Sequence, residues 1–129
     1  RLAGRTDADA AAARGVTYLF SGDPAQAVNA LEKAVKGNPE SARIQSDLAA
    51  AYLERRSPLD TERALEASTR ALTMDASLHE ARFNRALALE RLQRNSEAAA
   101  EWREYLARET ASPWIAEARR RLARLSGGS

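Results

Sequence analysis

The chain has 129 residues, of which 44% are hydrophobic and 29% are charged, and this suits one domain of ordinary size. Its 20 basic and 18 acidic residues leave a formal net charge of +2, so bulk charge does not favour a nucleic acid as the partner. The lack of cysteine excludes a disulfide framework, a thiolate zinc site and a cysteine nucleophile, and no apolar run approaches the roughly 18 residues of a membrane span.

Strong helix formers dominate the composition, whereas Val and Ile together number five, and this predicts an all-α fold. In chain order the predicted helices cover residues 7–20, 24–35, 42–55, 62–74, 78–93, 97–108 and 114–125. Residues that favour the N-cap precede most of them, namely Asp23, Ser41, Thr61 (with Asp60 before it), Ser77 and Ser112. The sequence Gly37-Asn38-Pro39 is predicted to end the second helix.

A spacing of small and large residues occurs three times. The first unit has Gly15, Tyr18, Ala27, Leu31, Ala34 and Pro39. The third has the same intervals with Ala86, Leu89, Ala98, Trp102, Tyr105 and Thr110. The second has Ala49, Tyr52, Ala64, Ser68, Ala71 and Ala76, with three extra residues between Tyr52 and Ala64. Small residues let paired helices cross closely while large ones fill the adjoining space, so the pattern predicts stacked helix pairs sharing one core.

These G-x2-Y, A-x3-L, A and P positions resemble the tetratricopeptide repeat. The resemblance implies a right-handed superhelical solenoid of three helix pairs plus a C-terminal capping helix. The expected repeats are about residues 8–41, 42–78 and 79–111, and the capping helix about 112–125. Residues 1–129 would then be one domain, with 126–129 as a flexible tail or the remnant of a tag. Ser68, Tyr105 and Thr110 depart from the family's pattern.

A narrower resemblance covers roughly residues 42–125. The segments SDLAAAYLER, EARFNRALALERL and EWREYLARETASPWIAEARRRL look like the repeat region of large bacterial proteins that carry a caspase-like peptidase domain of the CHAT type. No catalytic motif is part of the resemblance. It implies a recognition or regulatory arm that could also contact the rest of a longer chain. The absence of an initiator Met and the Gly-Ser end favour an excised segment, in which a signal sequence would be hidden, and the alternative is a processed natural terminus.

The resemblance also implies where a partner binds, because the first helix of each pair lines the concave face of such solenoids. The residues expected to bind a peptide or partner helix there are Val16, Phe20, Arg43, Asp47, Phe83, Asn84, Leu87 and Arg91, with Asp9, Ala50 and Glu54 on the same face. Asn84 could bond a peptide backbone through its amide, and Arg43 and Arg91 could pair with a carboxylate. The alternative is that these three are ordinary solvated residues.

One departure affects the expected ligand. The members of the family that clamp the carboxylate of a chaperone tail need Lys and Asn on the first repeat's groove, where this chain has Ala12, Ala13 and Val16. The first repeat's groove is therefore expected to be apolar. A partly hydrophobic peptide or a partner helix fits it better than a chaperone tail.

Other conspicuous residues are expected to be structural or solvated. His79 lacks a recognised ligand spacing, so no metal site is predicted. Trp102 and Trp114 lie at helical contact phase, which favours core packing for both. The arginines of the last helix are expected to form a solvated outer face rather than a nucleic-acid site: Arg119, Arg120, Arg121 and Arg124.

Together these patterns predict a non-enzymatic protein-interaction scaffold. No catalytic residue, cofactor or metal is expected, and the partner would be a protein or peptide rather than a nucleic acid or a membrane. The lack of a signal segment favours the cytoplasm. The alternative function is a structural assembly module that packs against itself or against a fixed subunit.

Overall fold

The structure, a computed structural model, describes residues 2–127, with side chains from Gly4 onward. This part of the chain forms seven helices and no strand, which confirms the all-α prediction. The helices are α1 (Leu2–Phe20), α2 (Pro24–Gly37), α3 (Ala42–Arg55), α4 (Asp60–Met74), α5 (His79–Arg91), α6 (Asn95–Arg108) and α7 (Ile115–Gly127). None of the described helices is both long enough and apolar enough to cross a membrane.

The first two predicted caps are confirmed. Between α1 and α2, Gly22 has a φ of +80°, a left-handed conformation that glycine adopts without a steric penalty. Asp23 then caps α2, because its carboxylate accepts a hydrogen bond from the backbone N–H of Gln26 at 3.2 Å. Ser41 caps α3 in the same way, with its hydroxyl accepting from the N–H of Ile44 at 3.2 Å.

The insertion between α3 and α4 is ordered by a buried carboxylate, and here the prediction of the helix start was wrong. α4 begins at Asp60 itself and not after Thr61. The Asp60 carboxylate turns back toward α3, where it accepts from Nε of Arg55 at 2.9 Å and from Nη2 of Arg55 at 2.8 Å. It also accepts from the backbone N–H of Ser57 at 2.8 Å. Asp60, which the sequence places just before the predicted start at Thr61, therefore closes the inserted turn.

The cap predicted for α5 is also wrong. The hydroxyl of Ser77 donates to Asp75 Oδ1 at 2.6 Å, and the N-cap position belongs to Leu78, whose side chain makes no capping bond. Ser112 does accept from a backbone N–H, that of Trp114 at 3.0 Å, just before α7 begins. A serine near a helix start therefore predicts where the helix begins to within a residue or two. It does not always predict which group the serine hydroxyl bonds.

The helix ends differ from the predicted ones mainly at the two ends of the chain. α1 begins at Leu2 rather than at residue 7, and α7 continues to Gly127 rather than stopping near 125. Residues 126 and 127 of the predicted flexible tail are thus helical. Residues 128 and 129 lie outside the described part of the chain.

The repeated small residues are buried where paired helices cross, as the spacing predicts. Gly15 shows the constraint most directly, because a Cβ at this position would lie 2.5 Å from Cγ of Leu31 on α2. The alanines at the corresponding positions have no exposed surface: Ala27, Ala49, Ala64, Ala86 and Ala98. Trp102 on α6 is also fully buried, and its Nε1 donates to Oε2 of Glu90 at 2.6 Å, which confirms its predicted place in the core.

Each helix packs on the next, and the first helices of neighbouring pairs also touch, since α3 contacts both α1 and α5. The helices α1, α3 and α5 therefore form one continuous face of the stack. The third pair is further fixed by a nearly buried ion cluster, in which Glu101 on α6 accepts from Arg82 Nη1 at 3.0 Å and from Arg85 Nη1 at 2.8 Å.

Candidate partner-binding groove

A cleft of about 650 Å³, referred to below as the groove, runs along the face made by α1, α3 and α5. Of the eight residues expected to bind a partner, the structure brings seven together in its lining: Val16, Phe20, Asp47, Phe83, Asn84, Leu87 and Arg91. Arg43 does not line it, and neither does Asp9. Ala50 and Glu54 do. The helical phase of α1, α3 and α5 therefore predicts most of the groove lining, and the two residues that it wrongly includes are Arg43 and Asp9.

The apolar part of the groove is built around Phe83. Its ring makes an edge-on contact with Trp102 at a centroid distance of 4.8 Å and another with Tyr105 at 5.5 Å. On its open side it meets Trp114, at 5.7 Å. The prediction that Trp114 belongs to the core is wrong, since 56% of this residue is exposed. It precedes α7 and completes the groove wall instead.

Phe20, at the C-terminal end of α1, is the most exposed large apolar residue among those described. It is 89% exposed and lines the groove. Nothing in its own helix requires an aromatic residue there, because α1 is already anchored by buried Ala8, Ala11 and Gly15. The groove thus offers two exposed aromatic side chains, Phe20 and Trp114, on either side of the half-buried Phe83.

Asn84 has a structural bond that the sequence did not reveal. Its Nδ2 donates to the backbone carbonyl of Ser46 at 3.2 Å and so ties α5 to α3. Among the described contacts its Oδ1 has no partner, so this oxygen remains able to accept from a ligand. Asn84 therefore positions the groove as well as lining it.

The two arginines expected to pair with a ligand carboxylate are both engaged within the chain. Arg91 Nη1 donates to the carbonyl of Leu53, in the last turn of α3, at 2.8 Å, and burial lowers the pKa of Arg91 below its ordinary value. Arg43 Nη1 donates to Oε2 of Glu80 at 3.3 Å, outside the groove lining. Neither guanidinium is arranged as an open anion site.

The carboxylates of the groove outnumber its free cations. Asp47 on α3 is only partly exposed, and burial raises its pKa to about 6, against a lowering effect of Arg43 and with a further raising effect of Glu80. Glu54 and Glu80 also line the groove. Glu80 has one oxygen, Oε1, buried without a hydrogen-bond donor in the described part of the chain. Nε2 of His79 lies 3.6 Å from this oxygen.

The described residues contain no group of three or more His, Cys, Asp or Glu side chains that could hold a metal ion. Nδ1 of His79, the single histidine, lies 3.0 Å from Oε2 of Glu109 instead. The arginines of α7 are partly neutralised in the fold: Arg120 and Arg121 both bond Glu117, and Arg121 Nη1 reaches Oε1 of Glu90 at 3.1 Å. Arg119 and Arg124 are exposed.

Sequence comparison supports a relationship over part of the chain. Residues 12–58 match the model of the tetratricopeptide repeat family. No curated protein sequence matches the chain.

Solved structures extend the likeness to almost the whole chain. The TPR domain of Arabidopsis OM64 is 26% identical with a TM-score of 0.88, over 98% of this chain and 99% of that one. The TPR2B domain of yeast Sti1, in a complex with pHsp70, is 20% identical with a TM-score of 0.85, over 96% and 99%. The second TPR domain of human RPAP3, in complex with the HSP70 peptide SGPTIEEVD, is 21% identical with a TM-score of 0.82, over 95% and 98%. The seven described helices therefore have the all-α tetratricopeptide-repeat fold.

Proposed function

We propose that this chain is a non-catalytic scaffold that holds an extended peptide or a partner helix in the groove. The observation that carries the proposal is the exposure of Phe20 and Trp114, at 89% and 56%, in the same cleft as Phe83. Large exposed apolar side chains that share one concave surface are typical of protein-interaction sites, since each would bury further area on binding.

The structural neighbours support a peptide as ligand. The Sti1 domain is in complex with pHsp70 and the RPAP3 domain with an HSP70 peptide that ends in EEVD. The groove of this chain differs from one suited to an acidic tail. The first repeat has Ala12, Ala13 and Val16 at the positions where the carboxylate-clamping members have Lys and Asn. We therefore propose a partly apolar segment rather than an acidic chaperone tail.

The larger context remains a proposal that rests on the narrower resemblance. In it, the chain is the recognition arm of a bacterial protein with a caspase-like peptidase domain, and partner binding in the groove is relayed to that domain. The test is the reading frame beyond the codon for residue 129. A downstream domain with a spaced His and Cys supports the relay, and a stop codon within a few residues contradicts it.

The groove itself can be tested with exposed residues whose loss leaves the core intact. A phage library of short random peptides is selected on the immobilised chain, and the enriched clones are measured again on the variants Phe20→Ala and Leu59→Ala. Leu59 is the matched control, because it is also a largely exposed apolar residue, at 61%, but lies in the α3–α4 turn away from the groove. We expect binding to fall on Phe20→Ala and to persist on Leu59→Ala.

The competing function is assembly with identical copies. It predicts that no peptide is enriched, and that the chain sediments as an oligomer whose size changes in the Phe20→Ala variant. Enriched peptides that bind both variants equally would also contradict the groove proposal, because their site would then lie elsewhere.

A further inference from the structure

We propose that the groove selects a segment in which an apolar side chain lies next to a lysine or arginine, with the cationic group seated against Asp47. This inference rests on the proposed function and specifies the chemistry of the ligand. It runs opposite in charge to the acidic peptide of the RPAP3 neighbour, SGPTIEEVD.

The first support is the isolation of the Asp47 carboxylate. It lines the groove and is partly buried, yet it has no hydrogen bond or ion pair within residues 2–127. Asp60, by contrast, is fully buried and is held by Arg55 and by the Ser57 N–H. A carboxylate that is partly withdrawn from water without a donor is a strong acceptor for a cation brought by a ligand.

The second support comes from the neighbouring side chains. Residues one repeat apart on α3 and α5 lie side by side, and Arg43 and Glu80, 37 residues apart, form an ion pair at 3.3 Å. The residue at the same distance after Asp47 is Asn84, whose side chain is a neutral amide. The chain therefore forms an ion pair at one position of the α3–α5 seam, whereas Asp47, one turn further on, is attracted by Arg43 but has no bonded partner. Burial accordingly raises the pKa of Asp47 to about 6.

The third support is that the one arginine in the groove lining is already engaged within the chain. Arg91 is held by the carbonyl of Leu53 at 2.8 Å and is attracted by Glu54, so it neither reaches Asp47 with a bond nor stays free for an anion. An acidic ligand would meet the carboxylates of Asp47, Glu54 and Glu80 in the same cleft. A basic ligand meets complementary charge.

The apolar half of the motif follows from the geometry of the same two helices. One helical turn after Asp47 comes Ala50, and one turn after Glu80 comes Phe83, both in the groove lining. An apolar ligand side chain beside the cationic one would therefore lie against Phe83 and the small Ala50. The apolar surface and the carboxylate are thus within reach of alternate residues of one extended segment, because residues i and i+2 point to the same face.

The test uses the peptides selected on the wild-type chain. One enriched peptide and its Lys→Gln (or Arg→Gln) and Lys→Glu analogues are titrated by fluorescence anisotropy against wild type, Asp47→Asn and Asp9→Asn. Asp9→Asn removes the same charge from an exposed position of α1 outside the groove lining. We expect enrichment of Lys or Arg two residues from an apolar residue, about tenfold weaker binding to Asp47→Asn, and no change with Asp9→Asn. The Lys→Gln analogue should lose affinity for wild type and almost none for Asp47→Asn.

The outcomes separate this inference from the proposed function. Peptides without an excess of basic residues, or peptides that bind Asp47→Asn as tightly as wild type, overturn the charge inference. The groove function survives that result if Phe20→Ala still abolishes binding. Selection of acidic peptides overturns the inference as well, and failure to select any peptide overturns both.

Discussion

Replacing Asp47 by asparagine should make the protein more stable at neutral pH, although the change removes a charged group from its surface. Burial raises the pKa of this carboxyl from 3.8 to about 6. Each pKa unit corresponds to about 1.4 kcal/mol, so the ionised form opposes folding by up to about 3 kcal/mol. Because solvent reaches part of the side chain, the effective penalty is on the order of 1–2 kcal/mol.

The sign follows from proton binding. Between pH 3.8 and about 6 the folded state keeps a proton on Asp47 that the unfolded state has lost. The contribution of this group to the free energy of unfolding therefore decreases as pH rises through that window, and it is least favourable above pH 6. Asparagine has no such titration, so the advantage of Asp47→Asn should be full at neutral pH and shrink as the solution is acidified.

The assay is urea unfolding followed by circular dichroism, for wild type, Asp47→Asn and Asp9→Asn, at about pH 7.5 and about pH 4.5. Only differences between variants are compared, so that titration of the other carboxylates cancels. We expect Asp47→Asn to exceed wild type by roughly 1–2 kcal/mol at the higher pH and by clearly less at the lower one. A variant that is less stable than wild type at neutral pH would refute the reasoning, since Asp47 would then have a stabilising partner and could not attract one from a ligand.

Two further predictions concern the fold. Gly15→Ala should lower the free energy of unfolding by about 1–3 kcal/mol, because the new methyl group would overlap Leu31, 2.5 Å away. The control is Gly4→Ala, whose new methyl group would have its nearest contact at an ordinary 3.7 Å and whose free energy of unfolding should be unchanged or rise by up to about 1 kcal/mol. Equal shifts of the melting temperature in the two variants would contradict this reasoning. Asp60→Asn should lower the free energy of unfolding by about 3 kcal/mol at neutral pH, because hydrogen bonds from Arg55 stabilise the ionised carboxylate and hold the pKa of Asp60 below its ordinary value. The difference in free energy of unfolding between wild type and Asp60→Asn should become smaller as acid protonates the wild-type carboxylate. A difference that is the same at every pH would exclude the ion pair as its cause.

The helices and their pairing could be predicted from the sequence because both are set locally. Small residues at Gly15 and Ala27 recur with the same spacing along the chain, and each such pair permits one close crossing. Caps such as Asp23 act on a backbone N–H only three residues away. Periodicity and local hydrogen bonding thus carry the fold, and the face of each helix that lines the groove follows from its phase.

The failures arise where a side chain has two partners of similar chemistry. Asp60 can cap the start of α4 or pair with Arg55, and the inserted turn favours the second because it brings the guanidinium back over the helix start. Trp114 has the size and phase of a core residue, but it lies before the start of α7 and contacts Phe83, whose ring also meets Trp102 and Tyr105. Neither outcome is decided by local propensity, since both depend on which side chains the fold brings together.

Arg91 and Asn84, which both line the groove, show that the sequence does contain a usable long-range signal. Asn84 bonds the carbonyl of Ser46 and Arg91 that of Leu53, and both separations are 38 residues. Corresponding positions of α3 and α5 are 37 residues apart, as Arg43 and Glu80 are. Each of these two bonds therefore reaches the residue just before the corresponding position on α3. In a stack of repeated helix pairs, a polar side chain on the first helix of one pair meets the residue about one repeat earlier, on the first helix of the preceding pair. For each candidate ligand-binding residue in such a protein, the residue one repeat earlier should therefore be inspected first. A candidate that faces a complementary group there is already bonded within the chain. A candidate that faces none is available to a partner.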